Sequence, residues 1–138
     1  MQADEFRLVA SDELNHTPTA DSNFNESAYA NGFDPKQRCG GWMRIGNRVN
    51  EGYAEAQVCL YLPDGRLAVQ FQRPEIKHNN AFDAGGLSYT VHEPFKHVSM
   101  RYEGDLLVLD DPNLLRDARR LFNEAPRALV ERVEQVVR

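Results

Sequence analysis

Residues 53–72 read YAEAQVCLYLPDGRLAVQFQ, and the alternation in this stretch decides the fold class. In Tyr53 to Leu62, one face holds Ala54, Ala56, Val58, Leu60 and Leu62, and the other Glu55, Gln57, Cys59 and Tyr61. Successive side chains of an extended backbone point to opposite sides, so this period of two marks a strand with unlike faces. Pro63-Asp64-Gly65 is a turn signal, Pro setting φ and Gly supplying a positive φ. The chain returns through Arg66 to Gln72, where Leu67, Val69 and Phe71 alternate with Ala68, Gln70 and Gln72. The two runs form an antiparallel hairpin, and the more aliphatic face of each is expected in the core.

Working outward, Leu87 to Glu93 and His97 to Tyr102 alternate in the same way on either side of Pro94-Phe95. Glu103-Gly104-Asp105 then turns the chain into Leu106 to Asp110. With Ser27 to Phe33 and Gly41 to Asn47 there are about seven strands in roughly 85 residues, all at hairpin spacing. Such hairpins close into a barrel or pair as a sandwich. Simple up-and-down succession favours an antiparallel barrel or half-barrel, with Gly40, Gly41, Gly46, Gly52, Gly85 and Gly86 easing its bends.

The flanks differ from this body. Residues 1–25 are rich in Asp, Asn, Ser and Thr and read as an extended acidic lead-in. Beyond residue 112, Asp111 or Asn113 is placed to cap a short helix through Leu114, Leu115, Ala118 and Leu121-Phe122. From Pro126 onward, Leu129-Val130, Val133 and Val136-Val137 recur every three to four residues, an amphipathic helical stripe that needs a surface to cover. The organisation expected is a lead-in over 1–25, an antiparallel β-barrel over 26–112 and a helical tail over 113–138.

Composition bounds the function. A chain of 138 residues holds one ordinary domain, and 41% apolar with 27% charged residues is globular. Net charge is 16 minus 21, or −5, which argues against nucleic acid and anionic membranes as partners. No apolar run approaches the roughly 20 residues of a membrane-spanning helix. The acidic opening Met1-Gln2-Ala3-Asp4-Glu5 is unlike a signal peptide, so a cytoplasmic protein is expected. Cys39 and Cys59 form neither a CxxC pair nor a zinc spacing, and Cys59 reads as a packed hydrophobe. No cofactor motif is present: Gly41 and Gly46 have phosphate-loop spacing, but Asn47 stands where Lys is required.

Two loops gather polar chemistry. The first runs from Gly46 to Tyr53, the second from Arg73 to Gly86 and is long for a hairpin connection. Glu75, His78 and Asp83 share no spacing that aims them at one metal ion, so no metal site is expected. Trp42, Arg44 and Arg48 share one strand face, and Glu55, Gln57 and Tyr61 share another. These residues, with Gln70, Gln72, Thr90, His92, His97 and Arg101, are either a solvated outer face or the lining of a polar cavity.

Three segments carry a resemblance. They are Asn25-Glu26-Ser27 with Gly41 to Glu55; Arg73-Pro74-Glu75 with Ala81 to Leu87; and Glu93-Pro94-Phe95-Lys96-His97 leading to Tyr102-Glu103-Gly104 and Leu109-Asp110-Asp111-Pro112. Over residues 25–124 the chain resembles the N-terminal region of a little-characterised bacterial and mycobacterial family. That family is associated with the AttH and hydroxyneurosporene synthase (carotenoid 1,2-hydratase) group of calycin-like proteins. The resemblance implies a lipocalin/calycin-like barrel or half-barrel that handles an apolar, lipid- or isoprenoid-like small molecule.

Binding is the first expectation, with hydration or isomerisation of a carbon–carbon double bond as the alternative. The second chemistry needs a carboxylic acid kept protonated and aromatic faces to steady a carbocation. Asp83 and Glu51 are the candidate acids, Trp42 and Tyr53 the candidate aromatic faces, and Arg44 and Arg48 the candidate anchors for a substrate carboxylate. A third expectation is an isolated domain that completes itself by oligomerisation, as a homodimer through the C-terminal helix.

Overall fold

A computed structural model describes residues 7–120 of the chain. The strands are β1 (Glu26–Asp34), β2 (Cys39–Arg48), β3 (Tyr53–Tyr61), β4 (Leu67–Gln72), β5 (Phe82–Ala84), β6 (Leu87–Glu93), β7 (His97–Tyr102) and β8 (Leu107–Leu109). All adjacent pairs are antiparallel. The fold is mainly β, as the alternation predicts.

Local chemistry fixes each reversal. Asp34 Oδ1 accepts from the backbone N–H of Lys36 and Gln37 at 2.8 and 3.2 Å, turning β1 into β2. A 3-10 turn at Val49–Glu51 ends at Gly52, whose φ of 84° favours glycine, and sends the chain into β3. Gly65, at φ 87°, closes the β3–β4 hairpin that Pro63-Asp64-Gly65 announces.

Among the described residues the strands do not close into a barrel. They form a five-stranded sheet in the order β1-β2-β3-β4-β8 and a three-stranded sheet in the order β5-β6-β7. The inward faces of the two sheets share one core. Met43, Ile45, Ala56, Val58, Leu60 and Ala68 of the large sheet meet Phe82, Leu87, Met100 and Tyr102 of the small one, with Leu106 and Val108 beside them. The inward side chains of β3 and β4 are mostly small, and the bulky groups of the small sheet fill the space they leave. Close packing of this kind removes the hollow that a barrel would enclose.

Three further differences from the sequence reading have physical causes. Phe82–Ala84 forms a short strand inside what reads as loop, because Phe82 is drawn into the core opposite Tyr89. In β4 the more aliphatic side chains point away from the core. Pairing with β3 sets Ala68 against Leu60 and Val69 against Cys59, so Leu67, Val69 and Phe71 face outward. Gln70 and Gln72 instead reach the carbonyls of Asp105 and Gly85, tying the large sheet to chain segments around the small one. Asp111 does cap, its carboxylate accepting from Asn113 N–H; the 3-10 helix it starts ends at Arg116, helix resumes at residues 118–120, and the expected continuation through Leu121-Phe122 lies outside the described residues. The expected amphipathic helix from Pro126 lies outside the described residues.

Candidate functional site

Antiparallel pairing places same-face residues in rows across the large sheet. On its outer face one row holds Asn31, Trp42, Cys59, Val69 and Leu107. The next holds Tyr29, Arg44, Gln57 and Phe71. Beyond these come Ser27, Gly46 and Glu55, and then Arg48 with Tyr53. The face therefore grades from aliphatic through aromatic to charged along the strands.

The aromatic zone is continuous. Trp42 lies between Tyr29, with ring centroids 6.3 Å apart and planes at 27°, and Phe71, at 6.2 Å and 39°. Tyr29 and Phe71 remain about half exposed, at 56% and 47%. These rings offer apolar area at low entropic cost to anything that lies on them.

The charged zone is an interlocked set. Arg44 Nη1 donates to Glu55 Oε2 at 3.1 Å, and Arg73 Nη2 approaches Glu55 Oε1 at 3.4 Å, so one carboxylate bridges two guanidinium groups. Gly46 makes room for this: a Cβ there would stand 2.9 Å from Arg44 Nη2. Arg48 pairs with Glu51, and that hydrogen bond, opposed by some desolvation, raises the guanidinium further above its ordinary value. The Arg48 and Arg73 guanidinium carbons lie 5.9 and 5.2 Å from the Tyr53 ring centre, within cation–π reach. Three arginines against two glutamates leave an excess positive charge. A shallow depression of about 330 Å³ lies here, lined by Glu55, Gln57, Phe71, Gln72 and Arg73.

The structure thus brings five residues singled out in the sequence, Trp42, Arg44, Arg48, Glu51 and Tyr53, to one face and the loop at its end. It places Asp83 elsewhere. Asp83 pairs with Ser88 on β5–β6, on the outward side of the small sheet, in an open depression shared with Arg101, Glu103 and Asp105. The two candidate acids are on different sheets, and Glu51 is engaged by Arg48. Among the described residues, no three His, Cys, Asp or Glu side chains come together as a metal-binding group.

A second polar cluster has no local signal in the sequence. His16 Nδ1 lies 2.5 Å from Glu26 Oε1, and Asn79 Nδ2 donates to Glu26 Oε2 at 2.7 Å and to the His16 carbonyl at 2.8 Å. Buried Asn47 donates to Asn79 Oδ1 and to the Ala81 carbonyl. Asn50 donates to the carbonyls of Thr19 and Asp21. Together these bonds tie the segment before β1 to the sheet and to the loop before β5. Their partners are tens of residues apart, so only the folded chain assembles them.

Comparison with curated proteins and with solved structures returns no match. A family model does match, over residues 9–124, a span that takes in both sheets and both clusters. The chain belongs to that family, a domain of unknown function, DUF7064.

Proposed function

We propose that the outer face of the large sheet binds a small amphiphilic molecule, a lipid- or isoprenoid-like body carrying an anionic head. The body lies along Tyr29, Trp42 and Phe71, and the head is taken by Arg44 and Arg73, with Arg48 and Tyr53 at the margin. The observation that supports this is the adjacency of an exposed aromatic row and an arginine cluster with excess charge. Guanidinium groups recognise carboxylates and phosphates through paired donors, and here two of them already share one carboxylate that a ligand head can replace. In this reading the two sheets are a lipocalin-like half-barrel, and kinship with AttH and hydroxyneurosporene synthase-like proteins is part of the proposal. Binding is preferred to hydration or isomerisation because Asp83 and Glu51 are not assembled around one ligand position.

Trp42 is the one tryptophan of the chain, which makes its fluorescence a probe of this face. Titration with oleate is expected to change that fluorescence saturably. Arg44→Ala should weaken oleate binding about tenfold, the loss of one charge-assisted contact, while leaving oleyl alcohol unaffected. Phe71→Ala should weaken both. Absence of a saturable response to oleate, or equal losses for acid and alcohol in Arg44→Ala, would sink this reading.

A further inference from the structure

We infer that the depression between the lead-in and the loop before β5 is a binding site of its own, one that takes a small anion, a carboxylate or a phosphate group. Its volume is about 450 Å³, within the range of small-molecule sites. Asn15, His16 and Pro18 come to it from the lead-in, Lys77 and His78 from the loop, and Val49 from the turn after β2. No aspartate or glutamate is in its lining, although residues 1–35 of the chain hold seven acidic side chains against one arginine. A concave patch of one sign draws ligands of the other.

The polar cluster behind it fixes its walls. Asn79 donates to the His16 carbonyl and to Glu26, Asn47 donates to Asn79, and Asn50 holds the carbonyls of Thr19 and Asp21. What these bonds leave unused around the depression is donor capacity. His16 gives Nδ1 to Glu26, and its Nε2 has no partner among the described residues. Among them His78 also enters no hydrogen bond or ion pair. Lys77 Nζ approaches Glu75 Oε1 at 3.9 Å, beyond hydrogen-bond distance. The buried Asn15 Nδ2 finds no acceptor among the described residues, and a buried donor left so is costly. The carboxylates that touch these groups, Glu26 and Glu75, are not part of the lining. An ammonium, two imidazoles and an unmet amide N–H suit a negatively charged, acceptor-rich group, and Pro18 and Val49 offer apolar contact to its organic remainder. Glu26 also holds His16 above its ordinary 6.5, which keeps that ring charged to higher pH. The site shares no residue with the face proposed for the amphiphile, so either reading can fail without the other.

The four histidines are the reporters, each read from its imidazole resonances in nuclear magnetic resonance spectra of the full chain. The chain is titrated at about pH 6, near the ordinary imidazole value, with inorganic phosphate or with acetate, sodium chloride holding the ionic strength constant. His16 and His78 are expected to shift saturably with at least one of the two anions, and His92 and His97, beside the β6–β7 turn, to stay in place. The tighter anion then names the head group. Lys77→Gln should weaken binding about tenfold, the loss of one charge-assisted contact, and Lys36→Gln, the same change of charge at the β1–β2 turn, should not. Asn15→Asp sets a carboxylate at the unmet donor and should abolish saturation. No saturable shift with either anion, equal shifts at all four histidines, or equal effects of the two lysine variants overturn the inference. So does an Asn15→Asp chain that folds and binds as the parent does. Should that variant fail to fold, Lys77→Gln decides, because its side chain is 77% exposed and the fold does not depend on it.

Discussion

His16, in the segment before β1, and Glu26, the first residue of β1, form a charge-dependent contact. The hydrogen bond that His16 donates to Glu26, and the negative charge of that carboxylate, hold His16 above its ordinary 6.5. Burial alone would raise the Glu26 carboxyl, but hydrogen bonds from His16 and Asn79 outweigh it and hold it below its ordinary 4.5. The stabilisation from His16 is fully present below 6.5 and is lost as pH rises through its raised folded value. That from Glu26 is fully present above 4.5 and is lost as pH falls through its lowered value. The pair therefore holds the N-terminal segment best between those limits, at about pH 5 to 6. Limited proteolysis before β1 is expected to be slowest in that window and to accelerate toward pH 8, and Glu26→Gln to flatten the alkaline rise. A profile in Glu26→Gln that matched the parent would exclude this pair as the cause. None of this is legible in the sequence, where the two residues are ten positions apart with nothing to mark them as partners.

At the scale of the element, alternation gives the strands reliably and their orientation only in part. The reading of β3 places Ala54, Ala56, Val58 and Leu60 inward, as the structure does. The reading of β4 fails, because hydrophobicity ranks Leu67, Val69 and Phe71 above Ala68, whereas the register with β3 decides which face turns in. Glutamines tolerate the inward side because backbone carbonyls satisfy them there. The pairing of β2 with β3 has its own requirement at Gly41. A Cβ at that position would run into the Cys59 carbonyl oxygen and stand 2.9 Å from Leu60 Cα, backbone that cannot step aside. Gly41→Ala is expected to cost about 1–3 kcal/mol or more, as overpacking does. Urea titration followed by circular dichroism reads this as a lower midpoint, and an unchanged midpoint would rule out the close approach.

For the whole molecule, one shared core makes the two sheets a single cooperative unit. Phe82 packs in the core between the sheets, and Trp42 stands on the far face of the large one, on β2, whose Met43 and Ile45 belong to that core. Phe82→Ala is expected to lower stability by about 3–5 kcal/mol. Trp42 fluorescence and far-ultraviolet circular dichroism should report the same shifted midpoint, since small single domains unfold in one step. Separate transitions would show that the sheets are independent. The same layer explains how far the candidate site was readable. Trp42, Arg44, Arg48 and Tyr53 share parity on neighbouring strands, and parity survives folding. Assignment of Asp83 to the other sheet depends on long-range packing that alternation does not encode.

One edge of the large sheet bears on more than the site. β1 lies at its margin, opposite β8, with a neighbour on only one side in the sheet order. Its middle, Ala28 to Phe33, carries no charge, and an uncharged open ladder is a template for another chain to dock edge to edge. Glu26, the residue that grips His16, is also the first residue of that ladder. Alkaline loss of the His16 charge is thus expected to loosen the lead-in where it is moored to the first residue of that edge strand.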